Sequence, residues 1–133
     1  MDKTQKIIIG LLVIAALACG AVFLTPVLRN TPSTPPVMSG VTVYFFYGEE
    51  CPHCHNVIPF IQSLQKKYPD VDFRLLETWH NQTNFNLSVS LNQKLGIQQW
   101  GVPEVIIGNV SLMGDIDIPD KLESVILDQK KKP

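Results

Sequence analysis

The chain has 133 residues, room for one folded domain at the usual ~100 to 200 residues per domain. Its formal net charge is -1, and from Gly40 onward 8 Lys and Arg stand against 11 Asp and Glu, a balance of -3. Nothing in that balance asks for nucleic acid, whose binding depends on a clustered basic face. In chain order, residues 1–6 carry Lys3 and Lys6 and lead into 22 residues, Ile7 to Leu28, without one charged side chain. At about 1.5 Å per residue such a helix crosses the ~30 Å hydrocarbon core, and it outruns the ~7 to 15 apolar residues of a cleavable signal. Residues 7–28 are therefore expected to form an uncleaved membrane anchor. Ala16-Leu17-Ala18-Cys19 loosely matches a lipoprotein signal, but residues 20–28 would then leave an apolar stretch in water. Cys19 reads as a small apolar residue inside the membrane helix. Lys3 and Lys6 ahead of the segment outweigh Arg29 behind it, which places the N-terminus in the cytoplasm and the rest of the chain outside.

Residues 29–40 are rich in Pro, Ser and Thr and read as a linker. At ~3.1 Å per residue in polyproline geometry, it holds the domain of residues 41–133 roughly 30 Å from the membrane. Val41 to Tyr47 is a run of β-branched and aromatic side chains without alternation, the pattern of a strand buried on both faces. A helix fits Pro52 to Tyr68, stopped by Pro69. Val71 to Glu77 reads as a strand, and Asn84 to Leu95, with Phe85, Leu87, Leu91 and Leu95, as a helix ended by Gly96. Pro103 to Ile107 and Val110 to Met113 flank the turn pair Gly108-Asn109 and predict a hairpin. A last helix is expected from about Pro119 to Lys130, with Pro in its first turn and lysine in its last. Right-handed crossovers then give a four-stranded α/β sheet with helices on both faces.

The chemistry-bearing stretch is Tyr47-Gly48-Glu49-Glu50-Cys51-Pro52-His53-Cys54, where a strand ends and a helix begins. Free N–H groups and the positive end of the helix dipole favour a thiolate at that place, and the thiolate is the nucleophile of disulfide exchange. Pro52 suits the first helical turn, where its missing N–H costs nothing. Cys54 lies within one turn of Cys51 and can close a disulfide behind it.

With this C-x-x-C after a strand, Pro59 eight residues beyond Cys51, and Gly101-Val102-Pro103 ahead of the hairpin, the sequence resembles the thioredoxin-like superfamily over nearly all of residues 41 to 130. The resemblance implies a thioredoxin-like fold, a central four-stranded mixed sheet flanked by about three helices, and a thiol-disulfide oxidoreductase with no cofactor beyond its redox-active disulfide. It implies that Cys51 attacks, that Cys54 resolves the mixed disulfide, and that the Val102 backbone beside a cis Pro103 pairs with the substrate chain. Thioredoxins proper carry Trp before the first Cys and Gly-Pro between the cysteines, and this chain does not. The paired glycines with which glutaredoxins help hold glutathione are replaced by Gly114-Asp115. Pro52-His53 matches DsbA-type disulfide oxidases, although their inserted helical domain has no room between Glu77 and Pro103.

An imidazole at His53 near Cys51 favours the thiolate, whereas Glu49 and Glu50 oppose it. A reduction potential between about -270 mV for thioredoxin and about -120 mV for DsbA is expected. Oxidation or isomerisation of disulfides in exported proteins is the favoured activity, with a membrane-anchored reductase as the alternative. The expected partners are exported proteins bearing thiols or disulfides, together with a membrane redox partner. Cys51 to His55 also spells the C-x-x-C-H of c-type haem attachment. A mostly helical cytochrome does not open on a buried strand, and Met38 and Met113 make poor axial partners. A metal site of Cys51, Cys54, His53 and His55, or copper transfer through the two sulfurs, is the other rival. Adjacent residues on a helix diverge, so four ligands in five positions do not converge, and no metal is expected. His55, His80, Trp79 and Trp100 read as structural or surface residues. Asn81, Asn86 and Asn109 head glycosylation triplets, which matter only outside the cytoplasm.

Overall fold

Short apolar strands and three helices make up seven elements in the computed structural model, which describes residues 39–132. They are β1 (Thr42–Tyr47), α1 (Pro52–Lys67), β2 (Asp72–Glu77), α2 (Gln82–Lys94), β3 (Glu104–Ile107), β4 (Val110–Met113) and α3 (Asp117–Lys130). The expected anchor at 7–28, and the linker up to residue 38, lie outside the described residues. Among the described residues no helix is long and apolar enough to cross a membrane.

The four strands form one mixed sheet in the order β2-β1-β3-β4. β1 runs parallel to β2 and antiparallel to β3, and β3 and β4 make the expected hairpin. With neighbours on both sides, β1 lies in the interior of the sheet, and Val43, Phe45 and Phe46 are fully buried. Val43 and Phe45 share one core with Val57 and Ile61 of α1 and with Ile118, Leu122 and Ile126 of α3. The i, i+4 spacing of the α3 residues puts them in one stripe, each contributing about 1.5–3 kcal/mol of burial.

α2 covers the other face and departs from its expected pattern. Its buried residues are Ser88 and Asn92, while Phe85 is exposed and the leucines are half-buried. The Asn92 amide donates to the Ser88 carbonyl at 3.1 Å and to Glu104 Oε2 at 2.9 Å, so this seam is polar at its centre. Asn92 Oδ1 is buried without a hydrogen-bond partner among the described residues.

Helix boundaries follow local chemistry. α1 closes at Lys67 because Tyr68 precedes Pro69 and leaves the helical region, with φ -122° and ψ 72°. α2 begins at Gln82, two residues before the expected start, because Asn81 Oδ1 accepts the Asn84 N–H at 3.1 Å. α3 begins at Asp117 rather than Pro119, without a side-chain cap but with Asp117 and Asp120 in the dipole-favoured first turn. The hairpin turn sets Gly108 at φ +57°, and a Cβ there would meet Gln129 of α3 at 2.7 Å.

Candidate active site

Where β1 stops, Gly48, Glu49 and Glu50 turn the chain into α1, and the Cys51 N–H closes that turn on the Gly48 carbonyl at 3.2 Å. Cys51 is then the N-cap of α1, with φ -81° and ψ 112°. Its Sγ accepts the Cys54 N–H at 3.3 Å, the position that a Ser or Asp oxygen takes in an ordinary helix. A sulfur there receives a backbone donor and faces the positive end of the helix dipole. Both cysteines are thiols; Cys51 is 4% exposed and Cys54 fully buried. Burial, with the hydrogen bond to Cys51 second, pushes the Cys54 thiol up to about 12.

The Val102–Pro103 peptide is cis, and the Cys51 thiol donates to the Val102 carbonyl at 3.9 Å. The antiparallel pairing of Phe46 with Glu104 places the end of β1 beside residues 102 and 103, bringing together groups 51 positions apart. Cys51, Cys54, Val102 and Pro103 thus gather at one end of the sheet.

His53 is placed differently from the expectation that its imidazole serves Cys51. Its Nδ1 lies 2.8 Å from Asp115 Oδ2, which also accepts from Asn56 Nδ2 at 3.2 Å. These two contacts, His53 first, hold the Asp115 carboxyl below the usual carboxylate range. His55 donates from Nε2 to the Glu49 carbonyl at 2.6 Å. The two imidazoles therefore bond to different groups, and among the described residues neither is hydrogen-bonded to a cysteine. Met113, one axial candidate, is exposed on β4, and Met38 lies outside the described residues. Glu49, Glu50 and His80 do converge, within 4.8 Å of one another, as an exposed cluster in which Glu50 pairs with His80 at 2.7 Å. That pairing raises the His80 pKa.

Two further features were not legible in the motif. Glu104, directly after the cis proline, is fully buried, with Oε1 accepting from Ser111 at 2.8 Å and Oε2 from Asn92. Burial pushes its carboxyl up. A single acid inside the apolar run Pro103 to Ile107 was the available signal. Trp79, expected on the surface, is exposed but lies across Gly48, where any Cβ would fall 2.3 Å from the indole. Only glycine admits that contact. Trp79, Phe85 and Trp100 line a groove of about 130 Å³ that reaches Gly101 and Val102.

These elements, their sheet order and the helix-capping C-x-x-C opposite a cis proline make the fold thioredoxin-like. The thioredoxin-like superfamily that the sequence resembles is the one whose architecture the chain has. Among solved structures, it is similar to thioredoxin f from spinach chloroplast, with a TM-score of 0.57 and 22% identity over 73% of this chain and 76% of that one. It is also similar to Fasciola hepatica thioredoxin, with a TM-score of 0.53 and 18% identity over 69% and 83% of the two chains. Chlamydomonas reinhardtii thioredoxin f2 gives a TM-score of 0.52 and 22% identity over 74% and 86%. No protein-family model and no curated protein matches the sequence.

Proposed function

We propose that this chain is a thiol-disulfide oxidoreductase acting through Cys51 and Cys54. The observation that carries the reading is the helix-capping Cys51 sulfur, which accepts the Cys54 N–H and lies 3.9 Å from the Val102 carbonyl. In the oxidising direction, a substrate thiolate attacks Cys51 Sγ of the Cys51–Cys54 disulfide. The S–S bond breaks, its electron pair leaves on Cys54, and Cys54 takes up a proton, as its high pKa favours. A second substrate thiolate then displaces Cys51 from the mixed disulfide. The substrate leaves oxidised by two electrons and the dithiol remains. Reversing these steps reduces or, in sequence, isomerises a substrate disulfide. Val102 is assigned to hold the substrate backbone beside Pro103, and no cofactor is needed beyond the disulfide.

Oxidation or isomerisation is the favoured direction, and what supports it is the place of Cys51 as N-cap of α1, at the positive end of the helix dipole. Reoxidation of the dithiol falls to a membrane redox partner. Cys51→Ser is expected to abolish exchange, and Cys54→Ser to accumulate mixed disulfides with substrates on non-reducing gels. Preferential alkylation of Cys54 over Cys51 in the reduced protein would reverse the two roles.

The domain is assigned to the outer side of a membrane, on an anchor formed by residues 7–28, where exported proteins supply thiols and disulfides. The support is the uncharged run and the lysines before it. Protease added to intact cells or spheroplasts is expected to remove the domain, and a protected domain overturns this placement.

A further inference from the structure

Three triplets of the domain have the N-x-Ser/Thr pattern of glycan acceptors, Asn81-Gln82-Thr83, Asn86-Leu87-Ser88 and Asn109-Val110-Ser111. Dithiol chemistry uses none of them. Residues 41–133 hold six asparagines and, among 93 positions, eight Ser and Thr. Six asparagines, each with an eight in 93 chance of Ser or Thr two places on, give about 0.5 such triplets by chance, against three present. All three start on an exposed asparagine, whereas Asn92 is buried and Asn84 half-buried, and neither of these heads a triplet.

The fold separates the three. An acceptor is read through both its amide and the hydroxyl two residues on. Ser88 is buried, and the Ser111 hydroxyl donates to Glu104 at 2.8 Å, so one hydroxyl is covered and the other already committed. Asn81, Gln82 and Thr83 are all exposed, where the chain passes from β2 into α2. Asn81 has extended backbone, with φ -116° and ψ 98°, and caps α2 through Oδ1, which accepts the Asn84 N–H at 3.1 Å. The cap uses the oxygen alone and leaves Nδ2, the atom to which a glycan is joined. A glycosylated amide keeps its oxygen, so linkage and cap are compatible. Phe85, one helical turn on and 44% exposed, offers an aromatic surface for the apolar face of a sugar ring.

We propose that Asn81 is an N-glycosylation site, modified on the outer side of the membrane. The co-substrate is a lipid-phosphate-linked oligosaccharide, delivered by a membrane transferase. Asn81 Nδ2 bonds to C1 of the first sugar, the C1–O bond to the lipid phosphate breaks, and the phosphate departs with the bonding pair. Nδ2 loses one proton, and nothing is oxidised or reduced. The glycan stands at the dithiol end of the sheet, because neighbouring His80 bonds Glu50, the residue before Cys51.

The inference rests on the placement of the domain outside the membrane, and the test separates the two. Full-length protein purified from the cells that make it is compared with Asn81→Gln, Thr83→Ala and Thr83→Ser by intact mass and peptide mass spectrometry. The native chain is expected to exceed its sequence mass by one oligosaccharide, carried on the Asn81 peptide. Asn81→Gln and Thr83→Ala are expected to lose that excess and Thr83→Ser to keep it. Thr83→Ala retains the helix cap, so its loss of mass does not depend on folding. Intact cells are treated with protease in parallel. A bare Asn81 in a domain that the protease removes overturns the site and leaves the placement standing. A bare Asn81 in a protected domain overturns both. A glycan on Asn86 or Asn109 with Asn81 bare, or an excess mass that survives Thr83→Ala, overturns the assignment to Asn81.

Discussion

Glu104 is a carboxyl buried by the sheet and α2, answered by two neutral donors, Asn92 and Ser111. Burial raises its pKa, so the folded state holds the proton more tightly than the unfolded chain does. The stability this contributes is complete below the ordinary carboxylate range and is lost as pH rises through the raised value. Glu104→Gln keeps an acceptor for Asn92 and offers Ser111 a donor instead. It is expected to stabilise the protein at pH 8 by on the order of 1 kcal/mol, and to flatten the decline in stability from pH 4 to pH 8. Urea midpoints of both proteins at the two pH values check this. A variant less stable than the native chain at pH 8 would show that the carboxylate is the better partner there.

At the scale of elements, the connection from β1 to α1 carries the tightest constraint. Gly48→Ala puts a methyl where the Trp79 indole lies, so the ring or the loop has to move. Such overpacking costs about 1–3 kcal/mol, to be read as a lowered denaturation midpoint with increased exposure of Trp79. The sequence announced these elements wherever a stop or start signal was local. Pro52 and Pro69 bracket α1, and Gly108-Asn109 marks the hairpin. It failed at α2, where four apolar residues suggested an apolar buried face and the structure buries Ser88 and Asn92. Periodicity scores side chains one by one and does not see that an amide meets a carboxylate on a strand 12 residues away. The candidate site divides in the same way. Cys51, Cys54, Val102 and Pro103 could be picked out because their spacing is a motif. Asp115 meets His53 across 62 positions, and Trp79 meets Gly48 through the parallel pairing of Tyr47 with Glu77. Neither contact leaves a trace in neighbouring residues.

Over the described residues as a whole, the sheet order explains why so much meets at one end. β1 has β2 parallel on one side and β3 antiparallel on the other. The loops after β1 and β2 therefore leave at the end where the segment before β3 enters. Cys51, Trp79 and Val102 come from those three crossings. The chain has two tryptophans, and both Trp79 and Trp100 line the groove at this end. Indole emission is quenched by a nearby disulfide and shifts in wavelength when water is displaced. The ultraviolet fluorescence of the unlabelled protein is thus expected to drop when a Cys51–Cys54 disulfide forms, a change readable in real time without a dye.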